Sequence, residues 1–412
     1  MTNDHKQINI SAYMLTKSIF NLINILKIFL INLIVLYVFL YAIEVFFQIK
    51  NGTFLNESKY SYRERLSNET LKEVNLAFAP YKILHKETNL LPLSGISNSR
   101  TIFCSETKGQ YHEYKSDENG FNNSNNNKNF DILMIGDSYV HGLCLDQKYN
   151  LPNYISSNNF QVKNLGIMAN GPLFEYAIFR EYSHIYNFDT LVWLFNPDND
   201  FYDFSNEIQN PILNKYLEEK DFTQQLVKKN DLKDLIIKNY LDYEKRKLKE
   251  SLKHYHLDIK YVRNSISNII DRFSIKSEHE IYSSNIDDIS NENHIKIIYE
   301  ILEDVNRSLK IKDIKFLIVF NANHPYYKYP KNAKYSNDSQ IIINQTNELL
   351  TLLKRNGIPF YNFDEYIDKN FNENNISIVF KKVPNPKGYD HYTPYGNKIL
   401  SEKIIEKLRL IN

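Results

Sequence analysis

The sequence predicts an α/β domain built on a five-stranded parallel sheet with helices on both faces. Three observations predict it. Five short apolar runs bounded by turn residues read as buried strands, helix-periodic segments separate them, and 412 residues suffice to bury a sizeable core. The runs are "FDILMIG", "FQVKNLG", "DTLVWLF", "KFLIVFN" and "IPFYNF". Strands that alternate with helices signal parallel pairing, because parallel neighbours need a crossover that a tight turn cannot supply.

Taken in chain order, the first element is "IFLINLIVLYVFLYAI", Ile28 to Ile43, apolar except for Asn32 and bracketed by Lys27 and Glu44. With its flanks it makes a helix of roughly 20 residues, enough to cross a bilayer. No small-residue cleavage site follows, so the expectation is an uncleaved signal anchor over residues 28–48 after a tail at 1–27, rather than a removed leader or a buried core helix. Lys6, Lys17 and Lys27 before the span face Lys50, Lys59, Arg63 and Arg65 after it, so charge alone does not set its orientation. Residues 49–129 read as a polar approach segment closing on "GFNNSNNNKNF".

The α/β domain then occupies residues 130–412. Its helices include "PLFEYAIFREYSHIY", "NENHIKIIYEILEDVNRSL", "SQIIINQTNELLTLLKRNG", with Gly357 as its C-cap, and "GNKILSEKIIEKLRL". About 120 residues separate the third strand from the fourth, far more than one crossover needs, so a charged helical insertion is placed at about 205–290.

Composition narrows the partners. The 50 basic and 49 acidic residues leave a net charge of +1, and no basic stripe interleaves with aromatics, which excludes a nucleic-acid surface. Neither a metal nor a cofactor is expected, and the oligomeric state is not legible. The two cysteines, Cys104 and Cys144, are either unrelated buried thiols or, for a body outside the cytoplasm, a disulfide.

In a sheet of this kind the loops at the carboxyl ends of the strands build the site. The first strand ends in Gly136-Asp137-Ser138, with Ser138 opening a helix either as an N-cap or as an exposed nucleophile. The second ends in "NLGIMANGP", Asn164 to Pro172, and the third in "FNPDND", which places Asn199 and Asp200 at the same edge. His391, in "GYDHYTPYGNKILSEKI", lies in a loop before the terminal helix.

In this order, Ser138, the loop from Asn164 to Pro172, Asn199 and His391 resemble the four blocks of the SGNH, or GDSL, hydrolase superfamily. The likeness covers roughly Asp131 to the C-terminus without the insertion, and "SDENGFNN", "GDSYVHGLC" and "HYTPYGN" resemble a membrane-anchored bacterial subgroup of unassigned substrate. The resemblance implies a flavodoxin-like three-layer sandwich and ester chemistry through an acyl-enzyme. Ser138 would attack, His391 would act as general base, and the N–H groups of Ser138 and Ala169 with the Asn199 amide would hold the oxyanion.

Three departures qualify the pattern. Ala169 stands where the family has a glycine and is expected to offer its N–H at negative φ. Pro197 and Asp198 replace a glycine before Asn199, so an added carboxylate would disfavour anionic substrates. Gly388 stands where the family has its acid, which leaves Asp390, a main-chain carbonyl or a Ser–His dyad as alternatives. The resulting expectation is an anchored serine esterase or O-acyltransferase acting on acetyl-type esters of envelope glycans, held at the cell membrane with its body outside the cytoplasm. A non-catalytic glycan-binding or assembly protein and a lysophospholipase-type lipid esterase are the alternatives.

Overall fold

A computed structural model describes residues 4–50, 59–70, 73–79, 90–103, 111–123, 127–255, 292–323, 325, 333–382 and 389–411. The chain divides into two units, Met1–Asn56 with Lys249–Ser277, and Glu57–Leu248 with Glu278–Asn412.

The first unit contains helix α1 (Asp4–Lys50). Its stretch Ile23–Phe46 has a mean hydropathy of 2.4 and is long and apolar enough to cross a membrane. It begins five residues before the span expected from sequence. Ile28, Val35 and Phe39 are exposed along it, an arrangement that hydrocarbon satisfies and water does not. By length and composition it fits a membrane anchor or a signal sequence.

The second unit opens with helix α2 (Lys59–Thr70) and a small sheet in which β1 (Val74–Leu76) pairs parallel with β2 (Arg100–Ile102), itself antiparallel to β3 (Glu113–Lys115). The central sheet comprises β4 (Asn129–Gly136), β5 (Val162–Asn164), β6 (Asn187–Phe195), β7 (Lys315–Phe320) and β8 (Phe360–Asn362), arranged β5-β4-β6-β7-β8. Every pairing in it is parallel. This is the flavodoxin-like order, in which the first strand lies between the second and third, and the winding reverses between β4 and β6.

Alternate side chains of each strand serve opposite faces. Leu133, Ile135, Leu191 and Trp193 pack with α5 (Pro172–Tyr182), α9 (Glu292–Lys310) and α10 (Ala333–Arg355). Ile132, Met134, Val192 and Leu194 pack with α4 (Leu151–Ser156), α11 (Phe363–Asn370) and α12 (Pro394–Leu410). The outcome is three layers, as expected. Helix α6 (Pro197–Glu207) follows β6, the insertion then supplies α7 (Pro211–Glu218) and α8 (Asn230–Tyr255), and its stretch 256–291 lies outside the described residues.

The segment read as an approach is packed into the body from Leu66 onward among the described residues: Leu66, Val74, Phe78, Leu91, Ile96 and Phe121 belong to the first core. Asp117 anchors it, bonding Lys163 on β5 at 2.7 Å with both side chains fully buried. Another difference concerns His391. It lies not in a loop but in a short strand, β10 (Tyr389–Tyr392), antiparallel to β9 (Phe380–Lys382). Runs of three and four residues among polar neighbours carry no hydrophobic periodicity, so this pair is written in tertiary contacts rather than in pattern.

Candidate active site

The carboxyl ends of β4 and β6 flank the reversal of the sheet, and the candidate side chains gather there. Gly136 ends β4 at a close approach: a Cβ on it would come within 2.6 Å of Val140 Cγ2 and 3.0 Å of the Leu194 carbonyl. Asp137 then caps a single helical turn, α3 (Ser138–His141), accepting the Tyr139 N–H at 2.9 Å. One turn carries little dipole, so a helix field does little for Ser138.

Ser138 Oγ lies 2.7 Å from His391 Nε2, a contact between residues 253 apart in sequence. Its side chain is mostly enclosed, at 8 % exposure. The imidazole of His391 rests against the Tyr139 ring at 4.9 Å. Its neighbour Tyr392 is tied to the end of β7, since the phenol donates to Asn321 Oδ1 and accepts the Ala322 N–H at 3.1 Å. Both partners of the pair are thus fixed by the sheet that supports them. Asp390 lies on β10, but its side chain is outside what is described, as is Gly388.

Asn199 sits in the first turn of α6. Its Nδ2 donates to Asp203 Oδ2 at 3.0 Å and, more loosely, to Asp137 Oδ2 at 3.3 Å, while Asn196 Nδ2 reaches the same Asp137 oxygen at 3.0 Å. In the resting state both Asn199 protons are therefore directed at carboxylates. Asp198 is half-buried beside it, as the sequence implied.

The second loop is pinned along its length. Gly166 has no room for a Cβ, which would stand 2.5 Å from the His141 nitrogen. Gly166 N–H donates to Asn164 Oδ1, Ile167 N–H to the Gly136 carbonyl, and Gly171 N–H to Glu207 Oε1 at 2.5 Å. Ala169 adopts φ +58°, not the negative φ expected of it. The pinned flanks force the left-handed turn, at a cost of about 1–2 kcal/mol for a residue with a Cβ. Among the described residues the N–H groups of Ala169 and Asn170 donate to nothing, and both amide atoms of Asn170 are buried without protein partners.

Apart from Asp137 and Asp200, sequence reading missed the floor of this site. Glu175, Asp200 and Glu207 are buried, and Asp203 half-buried, around Asp137. Burial raises the carboxyl pKa of Asp137, and raises those of Asp203, Asp200 and Glu175 further with their mutual repulsion. Glu207 is pushed up to about 7 by burial, against the pull of the Gly171 N–H and of two N–H groups in the first turn of α5, Leu173 and Phe174. Glu175 takes the Trp193 indole N–H at 2.5 Å, and a charge inside the apolar stretch "PLFEYAIF" was the one signal that could have found it.

Cys144 is buried just after α3, and its expected partner Cys104 lies outside the described residues. A cleft of about 590 Å³ at the opposite, amino-terminal edge of the sheet is lined by Asn129, Asp131, Asn187 and Asp189 among others, away from Ser138.

No family profile matches the sequence, and no curated protein matches it. Among solved structures, a GDSL-like lipase from Bacteroides thetaiotaomicron shares 12 % identity with it, covering 69 % of this chain and 89 % of its own, at a TM-score of 0.35. A protein from Desulfitobacterium hafniense described as lipolytic and of the G-D-S-L family shares 8 % identity over 68 % of this chain and 99 % of its own, also at 0.35. At such scores the overlap is partial.

Proposed function

We propose that this chain is a membrane-anchored serine esterase or O-acyltransferase of the SGNH type. The observation that carries the reading is the 2.7 Å contact of Ser138 Oγ with His391 Nε2 at the point where the sheet reverses. His391 takes the hydroxyl proton as Ser138 attacks an ester carbonyl, then returns it to the departing alcohol. Water or a sugar hydroxyl, deprotonated by the same imidazole, resolves the acyl-enzyme.

The oxyanion falls to the N–H groups of Ser138 and Ala169 and to Asn199 Nδ2, which exchanges its looser 3.3 Å bond to Asp137 for the substrate oxygen. Burial raises the carboxyl pKa values of Asp137 and Asp203, which weakens their preference for the charged form that would repel that charge. Asp390 is proposed to orient the imidazole.

We place the body outside the cytoplasm, with Cys104 paired to Cys144, and take the substrate to be an acetyl-type ester on envelope glycan. The tether supports this choice, because it confines the site to the membrane surface where nascent glycan passes. The test is acyl release from small acetyl esters and from acetylated glycans, with transfer to free sugar followed in parallel and labelling by a serine-directed phosphonate. Labelling and turnover by the wild type, lost in Ser138→Ala, are expected. Glycan binding with neither labelling nor turnover would replace this reading with a non-catalytic glycan-binding protein, and preference for lysophospholipid would replace the substrate.

A further inference from the structure

His141, three residues after Ser138, has no part in the chemistry above, yet it is enclosed at 1 % exposure. Its ring stands edge-on to Phe103 at 4.7 Å and to Tyr114 at 5.4 Å. Its Nδ1 lies 3.1 Å from the Met168 nitrogen. A backbone amide can only donate, so Nδ1 must carry the lone pair and the proton must sit on Nε2, which faces the Tyr114 hydroxyl at 3.4 Å.

Met168 immediately precedes Ala169. In the loop 166–171 the N–H groups of Gly166, Ile167, Met168 and Gly171 are all engaged, and those of Ala169 and Asn170 are left open among the described residues. His141 holds the last engaged amide before the opening. Glu207 holds the first one after it.

Resting on the esterase reading, we propose that His141 is a positioning residue for the second oxyanion donor: its neutral imidazole, through Nδ1, fixes the Ile167–Met168 peptide, next to the one that carries the Ala169 N–H, so that this N–H stays free and aimed at the reacting carbonyl. The left-handed turn at Ala169 is strained and would relax if either end were released, which is why a directional acceptor is needed there rather than any side chain that fills the space.

Two near-isosteric replacements separate position from bulk. Asn places its Oδ1 close to the place of Nδ1 and keeps the acceptor, whereas Gln places its amide close to that of Nε2 and loses it. His141→Asn should keep kcat within about threefold of wild type. His141→Gln should lower kcat on the order of 10- to 100-fold with KM changed less than about threefold, a part of what losing an oxyanion donor costs. Amide hydrogen exchange at Met168 should quicken in His141→Gln and stay slow in His141→Asn. An active wild type whose Gln variant is equally active, or whose two variants lose kcat alike in step with their melting temperatures, overturns the positioning role alone. A wild type that neither turns over esters nor takes the phosphonate overturns the esterase reading and this one with it, and is told apart by the wild type's own silence.

Discussion

Two buried charged clusters lie within the same domain and are built on opposite terms. At the outer edge of the sheet Asp117 is matched to the Lys163 ammonium and also accepts the N–H groups of Asn119 and Phe121 and an amide proton of Asn123. Beneath Ser138, five carboxyl groups share hydrogen-bond donors, burial raises the pKa of each, and among the described residues none of them forms an ion pair with a Lys or Arg. A matched cluster holds chain segments together. An unmatched one costs stability and persists where chemistry uses it.

The largest effect expected on either side is loss of the nucleophile. Ser138→Ala removes the attacking oxygen and leaves the sheet untouched, so turnover should fall by about 10⁴-fold or more with the melting temperature nearly unchanged. His391→Ala should match it, and the double variant should be hardly worse. A Ser138→Ala protein as active as wild type would dissolve the comparison, since the unmatched cluster would then serve no such chemistry.

The matched cluster should behave the other way. Lys163→Met leaves Asp117 buried without its cation and should cost about 3–5 kcal/mol in chemical denaturation. Turnover per folded molecule should stay within a few-fold of wild type. If turnover collapses while stability holds, the Asp117–Lys163 pair belongs with the site and the contrast fails.

How far the sequence discloses this arrangement depends on whether a feature is written in local pattern. The five strands and their helices are legible, because each apolar run alternates between two cores. Ser138 and His391 stand out by residue type and order. Lys163 inside "FQVKNLG" also shows in the sequence, as a charge in a strand that must find an acid, but its partner 46 residues away does not. The fold alone reveals the strand under His391, the left-handed Ala169 and the role of His141. Each depends on contacts that no spacing encodes.

A smaller effect tests the cost of the unmatched side by pH. The Glu207 carboxyl rises from its ordinary value of 4.5 to about 7 on folding. Between those values the native protein holds a proton that the unfolded chain has released, so its contribution to stability is full below about pH 4.5 and is lost as pH climbs through 7. The loss is on the order of 3 kcal/mol. Glu207→Gln removes that titration, though its amide nitrogen cannot accept the N–H bonds that Gly171, Leu173 and Phe174 make to the two oxygens. The variant should therefore be less stable than wild type at pH 5, and the gap should narrow at pH 8. Equal gaps at both pH values would mean that this carboxylate is not burdened by burial.

The smallest effect sharpens the comparison at a single bond. Ala169 holds φ +58°, and glycine adopts that conformation without the Cβ penalty of about 1–2 kcal/mol. Glycine also gives the unfolded chain more freedom, which returns about 0.4–1 kcal/mol of the gain. Ala169→Gly should accordingly stabilise the protein by up to about 1.6 kcal/mol. Its N–H stays in place between the bond to His141 and the bond to Glu207, so kcat should change less than about threefold. Ala169→Pro keeps the loop length but has no N–H and cannot take a positive φ, so it should lose both stability and turnover. If Ala169→Gly instead loses turnover while gaining stability, the alanine methyl, rather than its N–H, is what the site uses at this position.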